Sequence, residues 1–487
     1  MRLLVAIIGV ILCLVTSSAM WQFPTRAPVA RIEHNLRLRI EQDQPAHAEP
    51  YFSLARAHSL AFSSGGTEIA VIDREGRDLI IPPDESDPGP GPDGVPYVPE
   101  GAPPIKPLTG SERIRHLLAS IEMFKAALDR PFHPDNKWGH HSSVELGLAY
   151  VLEHGQPIAE RLGFLPLAII PHPSEQRLET LREAVEVYSS GVERESMDWL
   201  RAWGILEDDA DAILVLVEHV NSNKESLSEL ARRRTTETWR ELAIEWYLKA
   251  FRSSFDRDLA SDEARDFSGN GYDETVSFEA GSSYLRMVTA RGVQPDERSL
   301  IEEVNRKLGQ LESREWSTFI TPIILSLSPR PLADLIDDAA FVPFDLDGTR
   351  RPQRWTWVTP DAAILCWDPE RTGRITSGRQ LFGNATFWLL PENGYAALDM
   401  LDDNRDGELA GAELTGLALW HDLNTNGVSD PGEVVPIEHT PIAGIATTYD
   451  STEGRHLVSH AGLRLASGDR LPTYDWIALS PESEATK

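Results

Sequence analysis

The chain has 487 residues, 41% of them hydrophobic, and a formal net charge of −30 from 76 acidic against 46 basic side chains. A chain of this length can bury its own cores in about two to four domains. So strong a negative balance excludes nucleic acid as a partner, and it excludes adhesion to anionic lipid through a basic face.

The N-terminus reads as a targeting segment. Arg2 precedes an uncharged run from Leu3 to Val15, and the small residues Ser17 and Ala19 follow at cleavage-site spacing. This predicts a secretory signal peptide over residues 1–19, with the mature chain starting at Met20. The run is shorter than the about twenty residues a spanning helix needs, so no membrane span is expected after signal cleavage. Left uncleaved and extended to Trp21, the segment would act as an N-terminal anchor. The expected location is therefore outside the cytoplasm, secreted or held at the cell envelope or periplasm. Once the signal is removed Cys366 is the only cysteine, so an intrachain disulfide is ruled out.

Residues 31–315 are expected to form a helical domain. Ala48 to Phe62 carries apolar residues at helical spacing around small alanines. Ten prolines between Pro82 and Pro107 exclude a helix there and predict a Pro-rich insertion over 82–107. An internal echo then appears. Ile121-Glu122-Met123-Phe124 with Ala127-Leu128 matches Ile244-Glu245-Trp246-Tyr247 with Ala250-Phe251. Downstream, Glu145 to Tyr150 matches Glu279 to Tyr284. Gly147 and Gly281 would admit close helix approach, and the aromatics would fill the groove. The pattern loosely resembles tetratricopeptide-type helical hairpins, although the spacing varies, and a plain irregular helical domain reads equally well. Either surface suits protein binding rather than chemistry. The last helix of this half is expected after an Asp296 cap, with Leu300, Ile301, Val304, Leu308 and Leu311 on one face.

Signals for catalysis are missing. His133, His140 and His141 lie in a Pro/Gly loop and lack the H-E-x-x-H arrangement of a zinc protease. No nucleophile elbow and no phosphate-binding glycine loop occurs in the sequence. The chain is therefore read as not an enzyme. The alternative is an active site assembled from distant parts of the helical half, with calcium used for stability.

Chemistry concentrates in the C-terminal part, residues 330–480. Asp402 to Glu413 and Asp422 to Glu433 each fit the calcium-loop template D-x-[DN]-x-[DN]-G-x5-E. In the first loop Asp402, Asn404 and Asp406 offer side-chain oxygens, Glu408 a backbone carbonyl and Glu413 the closing carboxylate. In the second the corresponding residues are Asp422, Asn424, Asn426, Val428 and Glu433, with Asp430 at position 9. Calcium takes six to eight oxygen ligands, and oxygens at every second residue of a tight loop can wrap it. Between Asp399 and Glu438 stand ten acidic residues and one basic, so the segment repels itself without a cation. Leu414 to His421, between the loops, is expected to form about two turns of helix.

Upstream, Asp345 and Asp347, then Asp368 and Gly373 in a D-x-x-x-x-G-x-I-x-S-G-x-x-L-F-G run, look like two degenerate loops lacking closing carboxylates. Together with the complete loops, Phe341 to Ile445 resembles the EF-hand-type calcium-binding modules of exported bacterial proteins. The resemblance implies calcium binding and no catalytic activity. The expected fold is mainly α, with a helical-repeat-like N-terminal domain followed by an α+β EF-hand-type domain with short strands. The expected partners are calcium ions and an unidentified protein.

Overall fold

The computed structural model describes residues 26–66, 69–70, 108, 110–133, 140–162, 239–260, 271–312, 319–348 and 353–480. The expected signal peptide and the Pro-rich insertion lie outside the described residues. Among the described residues, seven helices belong to the N-terminal half: α1 (Val29–Asp43), α2 (Glu49–Ser64), α3 (Gly110–Leu128), α4 (His141–Leu162), α5 (Trp239–Ala260), α6 (Gly271–Arg291) and α7 (Arg298–Glu312). Asp296 falls inside a 3-10 turn before α7 rather than capping it. Each helix packs against its neighbour in sequence.

The glycine-and-aromatic pattern of the echo is a packing device. A Cβ on Gly147 of α4 would lie 2.5 Å from the ring of Phe124 on α3, and one on Gly281 of α6 would lie 2.8 Å from the ring of Phe251 on α5. Phe124, Tyr247, Phe251, Phe255 and Tyr284 are fully buried in one helical core.

The C-terminal half is a β domain. The strands before it are β1 (Arg26–Ala27) and β2 (Ile69–Ala70). Those within it are β3 (Phe319–Ile320), β4 (Ile323–Leu325), β5 (Ile336–Phe344), β6 (Gln353–Val358), β7 (Ala363–Trp367), β8 (Glu408–Ala410), β9 (Leu417–Trp420), β10 (Val434–Pro436), β11 (Ile442–Ala446), β12 (Ser451–Glu453), β13 (His456–Leu465), β14 (Arg470–Asp475) and β15 (Ala478–Leu479). Nine of them make an antiparallel sheet in the order β10-β9-β7-β4-β14-β13-β11-β8, with β12 on β13. β5 and β6 form a separate hairpin. Only Gly411 to Gly416 links β8 to β9, which stand near opposite ends of that order, so the sheet curls.

The expected fold class is therefore corrected. This half is a curled antiparallel sheet with one short helix, α8 (Gly394–Asp399), and not an α+β domain of paired helix–loop–helix units. The chain is not mainly α. Leu414 to His421 shows why: in place of the expected helix it contains β9. Leu417 and Leu419 enter one core while Ala418 and Trp420 enter another, so both faces of the strand are buried. A period of two serves two cores, whereas a helix would leave one side without partners. The same alternation runs through β7, with Ala363, Leu365 and Trp367 on one side and Ile364 and Cys366 on the other. The Pro-bearing segment from Thr321 to Pro331 supplies the interior strand β4.

The core on one face of the sheet includes Ile32 and Leu36 of α1 and Leu54 and Leu60 of α2, so the two halves share it. The other face carries Trp355, Trp357, Trp420 and Trp476, all fully buried. At about 150–250 Å² and ~25 cal/mol/Å², each contributes at most about 4–6 kcal/mol of transfer free energy.

Candidate metal centre

The first loop runs from the end of α8 into β8. The Asp402 carboxylate is 1% exposed and turns inward, accepting from the N–H of Arg405 (2.7 Å) and of Gly407 (2.9 Å). Asn404 Oδ1 accepts from Asp406 N, and Asp406 Oδ1 from Glu408 N. Glu413 closes the loop by accepting from the N–H of Asp403 (2.9 Å), Asn404 (3.2 Å) and Ala410 (2.9 Å). It sits in a 3-10 turn, Gly411–Leu414, and not on an α-helix. The Glu408 carboxylate is held by Arg464 at 2.6 Å, which leaves its backbone carbonyl as the ligand expected from the template.

The second loop joins β9 to β10 and repeats this plan. Asp422, 0% exposed, accepts from Asn426 N (3.1 Å) and Gly427 N (2.8 Å). Glu433 accepts from Leu423 N and Asp430 N, each at 2.9 Å. Asn424 and Asn426 both donate through Nδ2 to Asp430 Oδ2, at 2.8 and 3.0 Å. Val428 N donates to Asn426 Oδ1 while the Val428 side chain points to solvent.

The degenerate segment at Asp368 has the same backbone. Asp368 Oδ2 accepts from Gly373 N at 2.8 Å, as Asp402 does from Gly407 and Asp422 from Gly427. All three loops place positions 4 and 6 in the left-handed region: Arg371 and Gly373, Arg405 and Gly407, Thr425 and Gly427. At position 9 the N–H of Thr376 is taken by Gln380 Oε1, the work that Glu413 and Glu433 do elsewhere. A neutral amide thus keeps the turn and drops the charge. This third loop and the second lie together: Ile375 N donates to Ser429 Oγ at 2.8 Å. The two complete loops, by contrast, adjoin opposite ends of the sheet order. Near Asp345 and Asp347 the guanidinium of Arg379 donates to Gly348 O at 2.7 Å and stacks on Trp388, so a side-chain cation already borders that turn.

The residues fit a calcium ion in composition. Asp402, Glu413, Asp422 and Glu433 are all nine-tenths buried or more, and among the described residues none forms a salt bridge. They are anchored by backbone N–H groups, and buried carboxylates without a counter-charge are costly. The loop acids are not gathered as tightly as the one group of three His, Cys, Asp or Glu residues among the described residues whose ligand atoms converge within 4.8 Å, which lies elsewhere.

Sequence spacing missed the supports around these loops. Trp357 on β6 donates its indole N–H to Asp422 Oδ2 at 2.6 Å. Helix α1 clasps the first loop: Arg31 Nε bonds Asp403 at 2.7 Å, Asn35 Nδ2 bonds Asp403 and the Met400 carbonyl, and Arg39 pairs with Asp399. Partial burial pushes the Asp403 carboxyl up, yet the bonds from Arg31 and Asn35 win and hold it below its usual range. Arg405 returns the contact to Gln42 and Asp43. The β-branched and aromatic run holding Trp357 and the polar face of α1 are visible in the sequence, but their targets are not. Of the histidines in the Pro/Gly loop, His141 bonds the Arg130 carbonyl, and residues 134–139 lie outside the described residues.

A family model described as the SPM domain matches residues 323–473, which span the sheet and all the loops. A curated relative, iron-regulated protein FrpA of Neisseria meningitidis serogroup C, is 35% identical over 98 residues. That stretch is 19% of this chain and 9% of the relative, so the match covers a small part of the other protein.

Proposed function

We propose that this is an exported, non-catalytic calcium-binding protein that takes up one ion in each complete loop. One observation carries the reading: Asp402 with Glu413 and Asp422 with Glu433 are two buried carboxylate pairs on matching loop backbones, with no salt bridge to either among the described residues. In the first loop Asp402, Asn404, Asp406, Glu413 and the Glu408 carbonyl would hold the ion. In the second, Asp422, Asn424, Asn426, Asp430, Glu433 and the Val428 carbonyl would do so. When bound, calcium supplies the positive charge that ten acidic residues around the loops lack. The residues present orient oxygens and exclude water. The helical half serves as a surface for a protein partner, in keeping with its stacked helices.

Calorimetry of the chelator-stripped protein tests this. Two calcium ions per chain are expected, with Kd of about 10⁻⁴–10⁻³ M or tighter, as in extracellular modules. No uptake at millimolar calcium overturns the proposal.

A further inference from the structure

Away from the loops, three helices bring together the group whose ligand atoms converge within 4.8 Å: Glu33 on α1, His58 on α2 and His116 on α3. His58 Nδ1 and His116 Nδ1 are 2.8 Å apart, and His58 Nε2 stands 3.9 Å from Glu33 Oε1. Arg115 lies 3.3 Å from His116 Nε2. A guanidinium can only donate, so His116 accepts at Nε2 and carries its proton on Nδ1. That proton is given to His58 Nδ1, which leaves the His58 proton on Nε2. This nitrogen, in a residue 0% exposed, has no hydrogen-bond partner among the described residues. It faces the Glu33 carboxylate across a gap too wide for a hydrogen bond.

We propose that Glu33, His58 and His116 form a binding site for a first-row divalent transition metal of the zinc class, with one position open for water. Two imidazoles and a carboxylate suit such ions and do not suit calcium. Metal ligation needs neutral imidazole. Burial of both rings favours it, His58 being 0% and His116 4% exposed. Uptake requires the imidazole protons to leave the ligating nitrogens and Arg115 to swing away from His116. Arg115 and Arg37, which hold Glu33 at 2.9 and 3.0 Å, have side chains 39% and 46% exposed, so both can turn to solvent. Residues 31, 35 and 39 of α1 face the first calcium loop while Glu33 faces α2 and α3. A metal here would therefore fasten the helix that clasps that loop.

The test is titration of the full chain with Co²⁺ in saturating calcium, read by visible absorption. Intense bands of a four-coordinate nitrogen–oxygen site are expected, bleached by added Zn²⁺. Weak octahedral absorption from oxygen-only loops would be distinct. His116→Gln should abolish the bands. Glu33→Gln, at the more exposed edge, should fold and raise the Co²⁺ Kd by about 100-fold or more, since loss of an outer-shell partner alone costs 10–100-fold. Absence of intense bands in the wild type, or an unchanged Kd in Glu33→Gln, overturns the site. Neither result depends on calcium binding by the loops.

Discussion

Replacing Trp357 by Phe isolates one hydrogen bond between the aromatic core and the second loop. The indole N–H meets Asp422 Oδ2 at 2.6 Å, and both residues are fully buried. A bond to a charged acceptor contributes about 1.5–3 kcal/mol, and loss of a ligand's outer-shell partner weakens metal binding about 10–100-fold. If Kd at the second loop rises tenfold, calcium at 100 times the wild-type Kd stabilises through that loop by about 1.4 instead of about 2.7 kcal/mol. The first loop adjoins the opposite end of the sheet order and should keep its Kd. Trp476→Phe is the control. Trp476 belongs to the same cluster, 6.3 Å from Trp357 between ring centroids, but its indole N–H has no hydrogen-bond partner among the described residues. It should lower calcium-free stability through packing and leave both Kd values alone. Calorimetric titration of both variants, with denaturant melts in chelator, provides the measurement. Equal weakening of both loops in Trp357→Phe, or no change at the second, would refute the reasoning.

Glu413→Gln should weaken the first site and Glu433→Gln the second, each by about tenfold or more while the other loop titrates normally; calorimetry reads both. Gly427→Ala should cost more than Gly407→Ala in a thermal melt. Both sit at positive φ, worth about 1–3 kcal/mol, but only at Gly427 would the new Cβ also strike Val342 at 2.5 Å and the Pro343 carbonyl at 2.8 Å. Hydrogen exchange should show that chelation loosens residues 399–438 together with α1, while α4 to α7 keep their protection; unchanged protection at α1 would break the link through Arg31 and Asn35. His456 tests pH dependence. Burial first, then Arg455, lowers it to about 4 against the opposing pull of Asp338, and its Nδ1 accepts from Ile477 N. The unfolded chain therefore binds the extra proton first, and stability falls as pH drops from about 6.5 towards 4. His456→Gln should flatten that part of a Tm-versus-pH curve, and a curve parallel to wild type would exclude the effect.

What the sequence determined by itself is local. Oxygen-bearing side chains at alternate positions, a glycine where the chain turns left-handed and a glutamate at the end of the turn are all short-range features, and the loops at Asp402 and Asp422 share one backbone built on them. The glycines of the helical echo likewise receive the aromatic rings whose presence beside them suggested it. Only the tertiary structure decided the rest. Leu417 to Trp420 could have wound into a helix, and became a strand because cores lie on both sides of it, one of them built partly from α1 and α2. Trp357 reaches Asp422 across 65 positions of sequence, and Arg31 reaches Asp403 across 372. No periodicity encodes such pairings, because they depend on which strand the curled sheet brings to which loop. The same holds for Glu33, His58 and His116: each alone is an unremarkable polar residue on a helix, and packing of three helices makes them neighbours.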